Sequence, residues 1–230
     1  MSHAAPTMSP AQAEQQTLIG VGSVRLLGVT AKFKTIVADP PWQLPIGKSR
    51  TANGEADSAW KKPEYAERYE LQYPQMTVDE IAALAVPADD DAHCYIWTIN
   101  RYIEQTYAVA RAWGFEPSTM LYWLKQPMGL GLGGAFVPCV EPILFCRRGK
   151  LPVKRRMDRN WWGWPRGKHS AKPEEFQTVV ESVSPGPYLE MFARRKRHGW
   201  HSWGNEVSND VNLETPNIKA EPSAPETDSK

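Results

Sequence analysis

The stretch Ala38-Asp39-Pro40-Pro41-Trp42 follows directly on Thr35-Ile36-Val37, a run with strand character. Proline lacks an N–H and has a fixed φ, so two in succession make a stiff corner that aims the flanking carbonyls. Asp39 and the Pro40 carbonyl then offer two acceptors, and Trp42 offers a ring face. That set suits the exocyclic amine of a nucleobase. Such an amine is a weak nucleophile because its lone pair is delocalised into the ring. Acceptors that hold both of its protons pyramidalise the nitrogen and expose the lone pair to an electrophile, which is positioning combined with preorganised electrostatics. The plainer reading of the same residues is a rigid turn closed by a hydrophobic plug.

A second cluster carries a different chemistry. Between 147 and 172 stand Arg147, Arg148, Lys150, Lys154, Arg155, Arg156, Arg159, Arg166, Lys168 and Lys172 against the single acid Asp158, interleaved with Trp161, Trp162 and Trp164. Basic side chains neutralise phosphates, and aromatic rings stack on bases at ~1–3 kcal/mol each. The implied partner is a nucleic acid, with Arg194, Arg195, Lys196, Arg197 and His198 extending the same surface. Gly129, Gly131 and Gly134 spell GxGxxG, but Pro138 and Pro142 follow, in loop and then strand rather than helix. A dinucleotide fingerprint needs that helix, so these glycines read as a lid. No metal is expected: His169, His198 and His201 lack acids or cysteines at ligand spacing, and Cys94, Cys139 and Cys146 match no zinc pattern.

The elements that must position these groups follow from periodicity. The 230 residues, 41% hydrophobic and 23% charged with a net charge of +1, suit one soluble domain with tails. The tails are placed at 1–16 and 209–230, both too polar to order themselves, and the domain at 17–208. No apolar run reaches ~18 residues and the N-terminus lacks a signal pattern, so a cytoplasmic protein of a bacterial or phage-infected cell is expected, with no membrane partner. Strands are predicted over 34–38, 93–99, 119–124, 140–146 and 188–193. A capping box at Thr77 and Glu80 opens a short helix through Leu84. A helix over 101–113 carries Ile103, Tyr107, Ala110 and Trp113 on one face. Another starts at Pro173 and carries Phe176, Val179, Val180 and Val183. The alternation predicts an α/β fold, mostly parallel, with ligands at the carboxyl ends of the strands. The irregular segments 43–75, 126–138 and 147–172 are expected as lids.

Asp-Pro-Pro-Trp resembles the signature of the amino-methyltransferases that act on adenine N6. The resemblance extends, in order, through YPQM at 73–76, IWTINR at 96–101, Trp113-Gly114-Phe115 and YWLK at 122–125. HSAKPEE at 169–175, LEMFARR at 189–195 and GWHSWGNEV at 199–207 complete it. The branch it resembles is the family of the eukaryotic mRNA adenosine-N6 methyltransferase and its bacterial and phage relatives. It implies a class I, Rossmann-like methyltransferase fold with S-adenosyl-L-methionine as cofactor. It assigns catalysis to Asp39, Pro40, Pro41 and Trp42, and the cofactor to Lys172, Glu190, Phe192, Arg194, Asn205 and Glu206. Tyr73, Asn100, Lys125, Glu141, Arg155, Arg156, Trp161 and Trp162 are expected at the substrate. Val137-Pro138-Cys139-Val140 departs from the family's more polar run before Glu141. The implied activity is methyl transfer to adenine in nucleic acid, DNA rather than RNA, and a homo-oligomer is left open. The rival readings are an inactive nucleic-acid-binding relative, and a methyltransferase for RNA adenosine or another amine.

Overall fold

The structure, a computed structural model, describes residues 24–26, 29–43, 75–127, 136–167 and 171–213. Tyr73, the glycines at 129, 131 and 134, His169 and most of both tails lie outside the described residues. A two-stranded antiparallel ribbon pairs β1 (Val24–Leu26) with β2 (Val29–Ala31). The main sheet holds β3 (Phe33–Ala38), β4 (Ala88–Trp97), β5 (Glu116–Gln126), β6 (Val140–Arg148), β7 (Trp161–Pro165), β8 (Tyr188–Met191) and β9 (Trp200–Trp203). Its order is β7-β5-β6-β4-β3-β8-β9. Only β6 runs against its neighbours, so the carboxyl ends of β3, β4, β5, β7, β8 and β9 share one rim. Three helices join them: α1 (Val78–Ala82), α2 (Ile103–Ala112) and α3 (Glu175–Val183). Among the described residues, no helix is long and apolar enough to cross a membrane.

Strand periodicity of two sends alternate side chains to opposite faces. Cys94, Ile96, Leu144 and Met191 join Ile81, Val109, Ala110 and Trp113 of the α1 and α2 side in one core. Tyr95, Trp97, Trp123 and Ile143 meet Phe176 and Val180 of α3 in the other. The capping box at α1 is present: Glu80 N–H donates to Thr77 Oγ1 (3.2 Å), and Thr77 N–H donates to the Glu80 carboxylate (2.7 Å).

Two features differ from the sequence reading. The stretch over 147–172 is not irregular throughout, since Trp161–Pro165 forms the edge strand β7, parallel to β5. Consecutive tryptophans alternate between faces there, a strand pattern concealed by the surrounding charge. The packed chain also runs beyond 208. Val211 and Leu213 are buried in the α1–α2 core, and Asp210 pins the free edge of β9. The Asp210 carboxylate accepts the Ser202 N–H (2.9 Å), and the Asp210 N–H donates to the Ser202 carbonyl (2.9 Å). Tail composition, averaged over many residues, concealed two apolar anchors.

Candidate active site

β3 is buried along its length and ends where the turn begins, so Asp39 emerges on the rim beside β8. The turn is fixed by its own backbone. Trp42 N–H donates to the Pro40 carbonyl (2.8 Å), and Met76 N–H donates to the Pro41 carbonyl (2.9 Å). One lone pair of the Pro40 oxygen is therefore used, and one is left for an incoming donor. Trp42 is 6% exposed, stacks on Tyr102 at 5.3 Å, and donates its indole N–H to the Trp97 carbonyl (3.0 Å). This corrects its expected role as a plane for the base. A buried indole with its N–H engaged anchors the turn to β4 instead.

Lys172, just ahead of α3, reaches into the rim, with Nζ 2.9 Å from Asp39 Oδ1, 3.5 Å from Glu141 Oε2 and 5.3 Å from the centre of the Trp97 ring. Glu141 also pairs with Lys125, whose ammonium lies over Trp123 at 5.6 Å. Asp39, Lys172, Glu141 and Lys125 thus form one alternating chain of charge across four segments. Burial alone would raise the Glu141 carboxyl, but Lys172 and Lys125 hold it below its ordinary value. Burial alone would lower Lys172, but Asp39 and Glu141 hold it above the ordinary lysine value. Both groups stay charged near neutrality, each because of the other.

Beside Asp39 opens a pocket lined by Pro41, Met76, Phe192, Arg194, Trp203 and Asn205. Its wall is made where β8 and β9 end. Phe192 has φ +62°, an unusual backbone for a non-glycine residue, which turns the chain off the strand. The Ala193 N–H donates to the Trp203 carbonyl (2.9 Å), and the Phe192 and Trp203 rings meet edge to face at 5.2 Å. Gly204 is held so close that a Cβ there would stand 2.2 Å from the Ala193 carbonyl oxygen. Arg194 Nε lies 3.6 Å from Glu206.

Of the expected cofactor residues, Phe192, Arg194, Asn205 and Glu206 line this pocket. Lys172 touches it through Asp39. Glu190 faces α3, where Gln177 Nε2 donates to its carboxylate at 3.3 and 3.4 Å and burial raises its titration. Among the expected substrate residues, Lys125 and Glu141 reach Asp39 through Lys172. Asn100 is exposed on the 3-10 turn after β4. Arg155, Arg156 and Trp162 do not join the Asp39 pocket; they line a second cavity on the α3 face. Trp161, 49% exposed, points to the opposite face from Trp162. Residues not singled out from sequence are Trp97 under Lys172, Tyr102 against Trp42, and Met76 and Trp203 in the pocket wall. Met76, Trp97 and Trp203 lie inside quoted motifs, which was their only signal.

The geometry has a ready counterpart among known sequences. The family model described as MT-A70 matches residues 33–129 and 146–206, covering β3 with its turn, Lys172 and the β8–β9 wall. The chain belongs to the MT-A70 family. Members carry the class I S-adenosylmethionine-dependent methyltransferase fold, in keeping with the mostly parallel sheet found here. The chain is 30% identical over 195 residues to the Type II methyltransferase M.MunI of a Mycoplasma species, covering 80% of this chain and 82% of that one. It is 28% identical over 207 residues to the human N(6)-adenine-specific methyltransferase METTL4, covering 79% of this chain and 39% of METTL4. A putative N(6)-adenosine-methyltransferase of Medicago truncatula, MT-A70-like, is 27% identical over 192 residues, covering 79% of this chain and 28% of that protein.

Donor chemistry is the test of fit for the family's cofactor. The pocket offers a carboxylate in Asp39, a guanidinium in Arg194, aromatic surfaces in Phe192 and Trp203, and an amide in Asn205. Acid for amine, cation for carboxylate, ring for adenine and amide for hydroxyls is the complement of an amino-acid nucleoside. The residues fit the group.

Proposed function

We propose that this protein transfers a methyl group from S-adenosylmethionine to N6 of adenine in a nucleic acid, DNA in preference to RNA. The observation that carries the reading is the placement of Asp39 between the β8–β9 pocket and Lys172. S-adenosylmethionine supplies a methyl group on a sulfonium, an electrophile that needs no Lewis acid. Phe192, Arg194, Asn205 and Glu206 hold the cofactor, and the wall at Phe192 and Gly204 gives the pocket its shape. Asp39 accepts one proton of the adenine amine, and the free lone pair of the Pro40 carbonyl accepts the other. The nitrogen lone pair is turned toward the methyl group, in line with the bond that breaks. Once methylated, the nitrogen is strongly acidic and gives its extra proton to Asp39. Lys172 fixes the Asp39 carboxylate in this orientation, and Glu141 with Lys125 fixes Lys172.

A target base must leave its stack, or be unpaired, to reach the rim. DNA is favoured because the match spans most of a type II methyltransferase, whereas the adenosine methyltransferase of Medicago is matched over 28% of its length. The test is incubation with methyl-labelled cofactor and paired DNA and RNA oligonucleotides, followed by nucleoside identification. Label in N6-methyldeoxyadenosine is the expected result. Label only in another nucleoside, or in none, overturns the reading.

A further inference from the structure

The second cavity, about 420 Å³, lies on the α3 face of the sheet. Tyr95, Leu121 and Phe145 form its apolar floor, Val179 and Val183 of α3 its wall, and the loop over 151–160 its roof. The roof is pinned at several points. The Leu151 carbonyl accepts from His93 Nε2 (3.1 Å) and Arg147 Nη2 (3.0 Å), and Lys154 N–H donates to the Val183 carbonyl (2.7 Å). Asn160 Nδ2 donates to the Met120 carbonyl (3.0 Å). The cavity is thus built into the fold, and its volume falls within the ~300–1,000 Å³ of small-ligand sites.

Its rim is cationic. Arg159 is paired with Asp158 at 3.1 Å, whereas Arg155 and Arg156 form no salt bridge or hydrogen bond among the described residues. An apolar hole with two unpaired guanidiniums at its mouth suits a flat ring joined to a phosphate. The cavity is also linked to Asp39 along one face. Trp162, at the cavity, stacks parallel to Trp164 at 5.5 Å and 4°, and Trp164 stands opposite Lys125 in the β5–β7 register. Lys125 reaches Asp39 through Glu141 and Lys172.

We propose that this face binds the single-stranded flank of the substrate. One nucleotide beside the target stacks against Trp164 and Trp162, and a further base enters the cavity with its phosphate on Arg155 and Arg156. A paired base is held edge to edge with its complement and cannot enter, so the flank must be unpaired. This rests on the proposed methyl transfer only for the identity of the target base.

Binding is read by fluorescence anisotropy, which needs no turnover, using a single-stranded oligodeoxynucleotide, its blunt duplex and free deoxyadenosine monophosphate. The variants are R155Q/R156Q and, separately, Val183→Phe, which fills the cavity without changing charge. Each variant is expected to weaken single-strand binding about tenfold or more, with the duplex changed much less. The double variant should also flatten the salt dependence by roughly 1.4, at about 0.7 per lost phosphate contact. A 5-iodouracil placed beside the target should cross-link to Trp162 or Trp164. Unchanged single-strand affinity, or equal losses on strand and duplex, overturns the proposal. So does a free mononucleotide whose binding shows the same sensitivity, since that marks an effector site. If the wild type binds as described but no N6-methyladenine forms, only the methyl-transfer reading fails. If N6-methyladenine forms and the variants bind normally, only this one fails.

Discussion

Lys172 Nζ stands 2.9 Å from Asp39 Oδ1 while also lying 3.5 Å from Glu141, so one buried ammonium holds the acid of the turn and the acid of β6 at once. Asp39 itself comes from a strand end and Lys172 from the approach to a helix 133 residues later, a separation obtained from their numbers (172 − 39). The turn therefore enters catalysis with its carboxylate already oriented.

Replacing Asp39 by asparagine keeps the size and removes the charge. It also turns an N–H toward an amine that needs acceptors on both protons. The kcat for adenine methylation should fall by at least ~10²-fold, the scale of losing a preorganised electrostatic partner. Cofactor affinity, measured by calorimetry, should change far less. Wild-type turnover in this variant would remove Asp39 from the chemistry.

Lys172→Gln should move a pH limb. In the native protein Lys172 helps to hold Glu141 below its ordinary value, so Glu141 stays ionised, and bound to Lys125, down to acid pH. Without that ammonium the Glu141 titration rises. The acid limb of kcat/KM should then move to higher pH, while the alkaline limb stays in place. A profile displaced only in height would show that Glu141 is not part of the working network.

Trp42→Phe separates an anchoring role from base contact. The ring remains, but the Trp97 carbonyl loses its buried donor, which costs roughly 1–3 kcal/mol. Urea denaturation should show that loss while KM for the oligonucleotide stays near the native value. A large rise in KM with unchanged stability would restore Trp42 to the base.

His93 offers a linkage test outside the site. The Leu151 carbonyl can only accept, so Nε2 carries the proton and Nδ1 accepts from the Ser184 hydroxyl, at 3.1 and 2.8 Å. Burial, followed by the charge of Arg147, lowers the folded pKa from 6.5. The unfolded chain therefore binds the proton first as pH falls. The native advantage of a neutral His93 is complete above about pH 6.5 and is lost progressively below it. The stability gap between the native protein and His93→Gln should shrink on acidification through that window. A gap that is flat or widens would contradict the assignment.

The turn and the motifs after β8 and β9 were legible because chemistry and backbone coincide there: Pro40 and Pro41 announce a rigid corner, and the alternating apolar runs announce β3, β4 and β6. The charge chain was not legible as a chain. Lys125, Glu141 and Lys172 were each placed at a ligand, but their pairing arises from strand order, which sets β6 beside both β5 and β4. Strand β7 was hidden because an edge strand need not be apolar, and its tryptophans alternate inside a basic run. The position of Arg155 and Arg156 away from Asp39 depends on how the loop over 151–160 folds back on α3, which no local pattern encodes.

The same dependence on tertiary approach makes Gly204 the sharpest test of the pocket. A methyl group there would stand 2.2 Å from the Ala193 carbonyl oxygen and 2.6 Å from its nitrogen, both backbone atoms of β8's continuation. Neither can swing aside as a side-chain tip would, so Gly204→Ala must part the ends of β8 and β9. That breaks the Ala193 N–H to Trp203 carbonyl bond and moves Phe192 and Asn205 relative to Asp39. Overpacking of this kind costs about 1–3 kcal/mol, so the chain should remain folded with a lower Tm. Cofactor affinity measured by calorimetry should drop by more than the stability change alone would produce at a temperature well below Tm. If the variant is destabilised yet binds S-adenosylmethionine normally, the junction of β8 and β9 is structural only, and the cofactor sits elsewhere on the rim.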